Sequence, residues 1–429
     1  MEHRYDLAIV GSGMGGATLA RGLAGTVKSI LILEAGKRER SLGGFLDTLR
    51  YYDANKLTRV PRTSKEGVIL WRTLMAGGST MVACGNGVRC LQEELAGYGI
   101  ELEQEFIQIE RDLGVAPIDD ALLSEGSHAL LDASRELGYQ MERMPKFIDP
   151  TKCKRCGGCA MGCKHGAKWT ALDFLDEAAT TGRVEVLYGA HVDHVDVARG
   201  KATGVTGRGP SGTFHADADA VVLAAGGLGT PVILQHSGID EAGSGLFMDL
   251  FVNTYGVTSG LNLTHEPQMA LVDTEFHEDE GFLLSPFVNV PKPVRAIEVG
   301  PEELAQSSKR LLGVMAKTAD DRVGRVFPDG SVSKPVTEAD WKRLRRGFDL
   351  SREILIRAGA DPKTIHMSKV QGAHPGGTAA IGTVVDRDLQ TEVDGLFVCD
   401  ASVLPATPGF PPMLTIGALA KRLAEALSA

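Results

Sequence analysis

Residues 5–16, Tyr5-Asp-Leu-Ala-Ile-Val10-Gly11-Ser-Gly13-Met-Gly-Gly16, set a short apolar strand directly against a turn of spaced glycines. A helical pattern follows over Ala17 to Leu23, and then a second apolar strand, Ile30 to Leu33, ends in Glu34. Strand, glycine turn, helix, strand and acid in that order form a dinucleotide-binding unit, which predicts an α/β, Rossmann-like domain. Gly11, Gly13 and Gly16 let backbone approach a pyrophosphate, the helix N-terminus stabilises its charge, and Glu34 is placed to accept ribose hydroxyls. The unit by itself leaves NAD and FAD open.

Downstream, 39–61 is polar and irregular and reads as a surface excursion. Met75-Ala-Gly77-Gly78-Ser79-Thr80-Met81 is a small-residue turn that suits backbone lying against a flat ligand. Helical periods over Glu101 to Leu113 and Ala129 to Leu137 predict helices covering one side of the sheet. After a helix expected at Ala171 to Ala179, the segments Val184 to Tyr188, Val192 to Val197 and Gly204 to Gly207 read as a small antiparallel meander. The apolar run Ala220 to Ala225 ends in Gly226-Gly-Leu-Gly229, a second approach of backbone to cofactor. Strands at Gln268 to Val272 and Leu312 to Ala316 and a basic amphipathic helix at Trp341 to Ala358 mark a different texture over 246–365, expected to be the substrate domain.

Composition narrows the partners. The 429 residues carry 45 Lys+Arg against 55 Asp+Glu, a net charge of -10 that argues against nucleic acid or an anionic membrane. No uninterrupted apolar stretch reaches the roughly 20 residues of a membrane helix, and no basic and apolar leader precedes the first strand. A soluble, cytoplasmic protein without a membrane span is expected.

The second conspicuous stretch is Cys153-Lys-Arg-Cys156-Gly-Gly-Cys159-Ala-Met-Gly-Cys163. Thiolates at spacings of three, three and four residues can curl around one compact centre, and the intervening glycines let amides approach its sulfurs, so the run reads as an iron–sulfur ligand loop. Structural zinc is the alternative, although zinc sites usually use two separated pairs. A disulfide fits less well with Cys84, Cys90 and Cys399 in apolar or Gly-rich contexts. Cys163 is the least certain ligand, with Cys84 or Cys90 as its replacement.

Three C-terminal pieces carry a resemblance: Gly372-Ala-His374-Pro-Gly-Gly377-Thr378, then Val393 to Pro405 with Cys399-Asp400, then Gly409-Phe-Pro-Pro412-Met-Leu-Thr415. With the Ala220 to Gly238 run, the N-terminal unit and Gly77-Gly78-Ser79, they resemble the glucose–methanol–choline oxidoreductase family. The resemblance implies FAD, held by Gly11, Gly13, Gly16, Glu34, Gly77, Gly78, Ser79, Gly226, Asp400 and Thr415. It also implies a discontinuous FAD-binding domain, 1–245 with 366–429, enclosing the cysteine loop at 150–170 and an antiparallel-sheet substrate domain at 246–365. His374 matches the family's active-site histidine, and imidazole is suited to take an alcohol's proton near neutral pH. The family's second catalytic residue is replaced by proline at Pro411-Pro412, which leaves Lys369 or a tyrosine to complete the site. The cysteine loop is similar to that of the family's iron–sulfur-containing sugar dehydrogenases. Cys153, Cys156 and Cys159 discriminate it, and four thiols favour a 4Fe-4S over a 3Fe-4S cluster.

The function expected is an FAD-dependent dehydrogenase acting on a small alcohol-type substrate, with electrons leaving through the cluster to a one-electron carrier such as a ferredoxin or cytochrome. The alternatives are a ferredoxin-driven reductase or dehydrogenase working at a carbon–carbon bond beside a carbonyl, an oxidase, and a non-catalytic redox protein. Substrate and oligomeric state stay open.

Overall fold

The computed structural model describes residues 4–27, 29–55, 61–261, 263–288 and 290–428. Tyr5–Val10 is an inner strand of a seven-stranded sheet, parallel to Ile30–Glu34 on one side and to the second half of Gly212–Leu223 on the other. Leu396–Val398 joins in parallel beyond it, so the two ends of the sequence meet in one sheet. Strands covered on both faces need no polar alternation, which is why these segments read as unbroken apolar runs. Gly11 is required by this packing: at φ +106 a Cβ would lie 2.2 Å from the Ala224 carbonyl oxygen.

One strand differs from the sequence expectation. Val184–Tyr188 belongs to the parallel sheet, paired with Ile30–Glu34, and is not part of the meander. Alternation marks a half-exposed strand but does not tell a parallel edge from a hairpin arm. The meander consists of His191–Ala198, Lys201–Gly209 and the first half of Gly212–Leu223. That last strand is antiparallel over Gly212 to Asp217 and parallel from Ala218, carrying the chain from meander to core.

Met14–Leu23 packs under Met413–Ser428 and near Glu103–Leu113. A Cβ on Gly417 would fall 2.3 Å from Met14 Cε and 2.9 Å from Ile109 Cγ1, so the helices meet closely there. Ala171–Ala179 is helical as expected. The segment read as irregular at 39–61 contains the helix Phe45–Tyr51, and its residues 56–60 lie outside the described residues.

A second sheet of six strands is built on Leu250–Val257, Leu311–Thr318 and Phe282–Pro286, antiparallel neighbours. Its two faces separate by alternation. Val252, Leu284, Val314 and Ala316 pack with Leu344 and Ile354 of the Glu338–Arg357 helix, while Phe251, Leu283 and Met315 join a cluster on the opposite face. That helix starts three residues before the Trp341 expected from periodicity, because Thr337 caps it: its Oγ1 accepts from Asp340 N at 3.0 Å, and Asp340 accepts from Thr337 N. The strand expected over Gln268 to Val272 shortens to Leu271–Val272. Among the described residues no helix is long and apolar enough to cross a membrane.

Candidate active site

A cavity of about 980 Å³ opens where the parallel strands end. One end is floored by Gly11, Ser12, Gly13, Glu34 and Gly226, the position at which doubly wound sheets bind nucleotides. The other end is walled by Trp71, Phe251, Met269, Phe287 and Met315, an apolar chamber under the second sheet. The floor is bare backbone. A Cβ at Gly13 would meet only Gly78 Cα, at 4.0 Å, and one at Gly226 would meet nothing within 4 Å. Such a trough fits a long flat dinucleotide, whose pyrophosphate needs close main-chain approach.

Of the residues singled out in the sequence, Gly11, Gly13, Glu34, Gly78, Ser79, Gly226, Asp400 and His374 line this cavity. Three do not. Gly16 is needed for packing, since a Cβ there would lie 2.1 Å from Gly11 O. Gly77 supports the turn by donating its N–H to Ser12 Oγ at 3.0 Å. Thr415 faces the core, where its Oγ1 donates to Cys90 O at 2.9 Å. Glu34 accepts from Ser12 N and Oγ and from Gly36 N, so its carboxylate also ties the glycine turn to the second strand. Burial pushes its pKa up, and these hydrogen bonds oppose the shift. Asp400 is buried, accepting from Gly226 N at 2.8 Å and from Ser402 N at 2.8 Å, which fixes the Gly226 turn.

His374 stands where the trough meets the chamber. Its backbone N–H is held by Met248 O at 3.1 Å, and its Nδ1 lies 2.8 Å from Asp249 Oδ2. The other Asp249 oxygen accepts from Gly409 N at 3.0 Å, so a fully buried carboxylate joins the histidine to the C-terminal glycine turn. Among the described residues nothing bonds His374 Nε2. Burial, helped by the nearby Lys317 charge and opposed by Asp249, holds the imidazole below its ordinary pKa. The ring is therefore neutral at pH 7, with its proton on Nδ1 toward the carboxylate and a lone pair on Nε2. Asp249 was not singled out in the sequence. It sits in an apolar stretch, Phe247-Met-Asp249-Leu-Phe251, at a φ of +49 that its backbone signature does not announce.

Pro411 and Pro412 both line the cavity. Lys369 does not: its Nζ donates to Ile297 O at 3.1 Å. Tyr52 lines the cavity with its hydroxyl already donated to Ala160 O.

The four clustered cysteines come together. Cys153, Cys156, Cys159 and Cys163 line one small cavity of about 20 Å³, shared with Lys154, His165 and Lys168. All seven cysteines are free thiols in this structure. Among the described residues no three His, Cys, Asp or Glu side chains stand close enough to hold a metal ion. The donor set therefore suits a cluster in kind and convergence, while the side chains as placed do not close around one. A single turn, Cys159–Met161, separates the two cavities: Cys159 faces the small one, Ala160 and Met161 the large one. Two buried ammonium groups brace that wall, Lys146 on Cys84 O, Asn86 Oδ1 and Gln268 O, and Lys168 on Thr80 O and Met81 O. Cys84 lines the large cavity and Cys90 is in the core, so neither shares the small cavity as a replacement ligand.

Models of the GMC oxidoreductase family match residues 20–266 and 327–420. The chain belongs to the GMC oxidoreductase family. As a GMC oxidoreductase it is an FAD-dependent enzyme, with an FAD-binding part and a sheet-built substrate part. An uncharacterised protein of Methanocaldococcus jannaschii is 29% identical, with 97% of this chain and 98% of that protein aligned. A long-chain-alcohol oxidase of Arabidopsis thaliana is 24% identical over 96% of this chain and 66% of its own length. Among solved structures, pyridoxine 4-oxidase from Mesorbium loti superposes with a TM-score of 0.76 at 17% identity, covering 99% of each chain.

Proposed function

We propose that this GMC oxidoreductase is a dehydrogenase of apolar alcohols, with FAD lying along Gly11, Gly13, Glu34, Gly78, Ser79, Gly226 and Asp400. The observation that carries this reading is the Asp249–His374 pair, whose free Nε2 stands at the mouth of an apolar chamber. When bound, FAD supplies the acceptor for the hydride that leaves the alcohol carbon. His374 Nε2 takes the hydroxyl proton, and Asp249 orients the ring and stabilises the imidazolium that results. Trp71, Phe251, Phe287 and Met315 exclude water and seat an aliphatic or aromatic tail.

The test is anaerobic mixing of the flavin-loaded protein with a panel of primary alcohols, 1-octanol and benzyl alcohol among them. Bleaching of the flavin bands by at least one is expected, and none throughout the panel would overturn the reading.

A finer part of the proposal concerns the cysteine loop. Cys153, Cys156, Cys159 and Cys163 hold an iron–sulfur cluster, 4Fe-4S rather than 3Fe-4S, and the loop is the exit for electrons toward a carrier such as a ferredoxin or cytochrome. Convergence of four free thiols on one cavity, one turn from the flavin trough, supports it. Protein purified anaerobically from an iron-replete culture is expected to contain about four iron and four sulfide per chain. Cys156→Ser is expected to lose them while keeping FAD. Wild-type protein without sulfide would end this part of the proposal.

Oxidase chemistry is the second reading, favoured by the long-chain-alcohol oxidase and pyridoxine 4-oxidase among the similar proteins. Peroxide formed in step with alcohol consumption in air would select it, whereas turnover only with a one-electron acceptor would select the dehydrogenase.

A further inference from the structure

Lys317 is the last but one residue of the strand Leu311–Thr318, where Met315 and Lys317 share the face turned to the chamber and both line the cavity. Its neighbours across the sheet are Phe251 and Leu283, which offer the ammonium nothing polar. The side chain is 2% exposed, and among the described residues Nζ has no hydrogen-bond partner. Its closest carboxylate oxygen, Asp249 Oδ2, is 3.8 Å away, too far for a hydrogen bond, and is the oxygen already engaged by His374 Nδ1. The other Asp249 oxygen is taken by Gly409 N. An ammonium has three protons to donate, and leaving them unmet inside an apolar wall is costly unless a ligand oxygen completes them.

We propose that Lys317 is the second catalytic residue of this site: its ammonium binds the reacting oxygen of the substrate and stabilises the alkoxide formed as His374 Nε2 takes the proton. The inference rests on the alcohol-dehydrogenase reading above. It supplies from the Leu311–Thr318 strand a polar partner that Pro411 and Pro412, lacking side-chain donors, do not provide. In the step, the O–H bond breaks, its proton passes to Nε2, and the negative charge on oxygen is held by Lys317 until the carbonyl forms. The same contact selects ligands with an oxygen at the end of an apolar tail, the alcohol itself or its carboxylate analogue.

Burial also pulls the Lys317 pKa down to about 8, with Asp249 opposing. The titratable groups that face it are Asp249, His374, the thiols of Cys84 and Cys90, and His277. His374 and His277 are held below the ordinary imidazole value, but Lys146 and Lys168 in the adjoining wall are also pulled down to about 8, so a loss of affinity near pH 8 is assigned to Lys317 by its disappearance in Lys317→Met.

The experiment is calorimetric titration of the flavin-loaded protein with octanoate, which needs no turnover and so separates this inference from the choice of reaction. Saturable binding at pH 7 is expected, weakened about ten- to a hundredfold in Lys317→Met and retained in Lys317→Arg. Methionine is close in length and removes a buried charge, while Asp249 keeps its bonds to His374 and Gly409, so the variant should fold; FAD content checks this. Wild-type affinity should also fall as pH rises through about 8, a fall that Lys317→Met should lack. Equal octanoate affinity in wild type and Lys317→Met, or no saturable binding to wild type, overturns the assignment. If octanoate binding follows Lys317 but no alcohol bleaches the flavin, the anion site stands and the reaction class falls.

Discussion

His374→Ala slows anaerobic flavin bleaching by alcohol about 10²- to 10⁴-fold while FAD content and melting temperature stay near wild type. The residue is placed for proton transfer rather than for support: one nitrogen is bonded to Asp249, the other faces the cavity, and its backbone, not its ring, makes the bond to Met248 O. Asp249→Asn should act in the same direction with the ring still present, because an amide no longer fixes the proton on Nδ1 or stabilises the charged ring. The pH dependence follows from the sign of the shift. The imidazole is held below its ordinary pKa by burial and by Lys317, and its neutral form is the base. The wild-type rate should therefore be steady from neutrality down to the ordinary imidazole range and fall only below it. A stopped-flow profile whose acid limb sits above pH 7, or His374→Ala with an unchanged bleaching rate, would remove His374 as the base.

Much of this was legible because the parallel core and the glycine turns leave strong local marks. An apolar run closed by Gly11-Ser-Gly13 needs no partner in view to be read as a strand meeting a nucleotide, and His374 lies inside a recognisable glycine-rich motif. The pair that surrounds His374 was not legible. Asp249, just before the strand Leu250–Val257, and Lys317, within Leu311–Thr318, are single charged residues in apolar surroundings, and their meaning depends on those two strands pairing so that Phe251 lies opposite Lys317. That register joins residues more than sixty positions apart. Lys369, a candidate read from the sequence, turns to Ile297 O instead. The same reason explains Val184–Tyr188. Its side-chain pattern describes one exposed edge, whereas the choice of Ile30–Glu34 as partner is made by the closure of the whole sheet. Thr415 belonged to a legible motif, but helix rotation turns it to Cys90 and away from the cavity.

Gly11→Ala is expected to be strongly damaging, lowering both the melting temperature and the FAD retained. The contacts are specific: a Cβ at residue 11 would lie 2.2 Å from the carbonyl oxygen of Ala224, 2.7 Å from its carbon and 3.1 Å from Ala225 N. All three are backbone atoms at the end of the central strand, so no side chain can swing aside. Either the Tyr5–Val10 strand or the Gly212–Leu223 strand must shift, and they are hydrogen-bonded neighbours whose register runs to Val10 and Leu223. The φ of +106 adds backbone strain for alanine. Each effect is worth about 1–3 kcal/mol, so a fall of about 2–7 °C in melting temperature is expected, with most FAD lost on gel filtration. Gly226→Ala separates packing from cofactor contact. Its φ of +79 is also unfavourable to alanine, but a Cβ there meets nothing within 4 Å and Gly226 lines the trough. Flavin retention should therefore drop in both variants, while the apoprotein's melting temperature should drop much more for Gly11→Ala. Full flavin retention in Gly226→Ala would mean that the cofactor does not pass over that turn, and the placement of FAD between Gly13 and Asp400 would have to be redrawn.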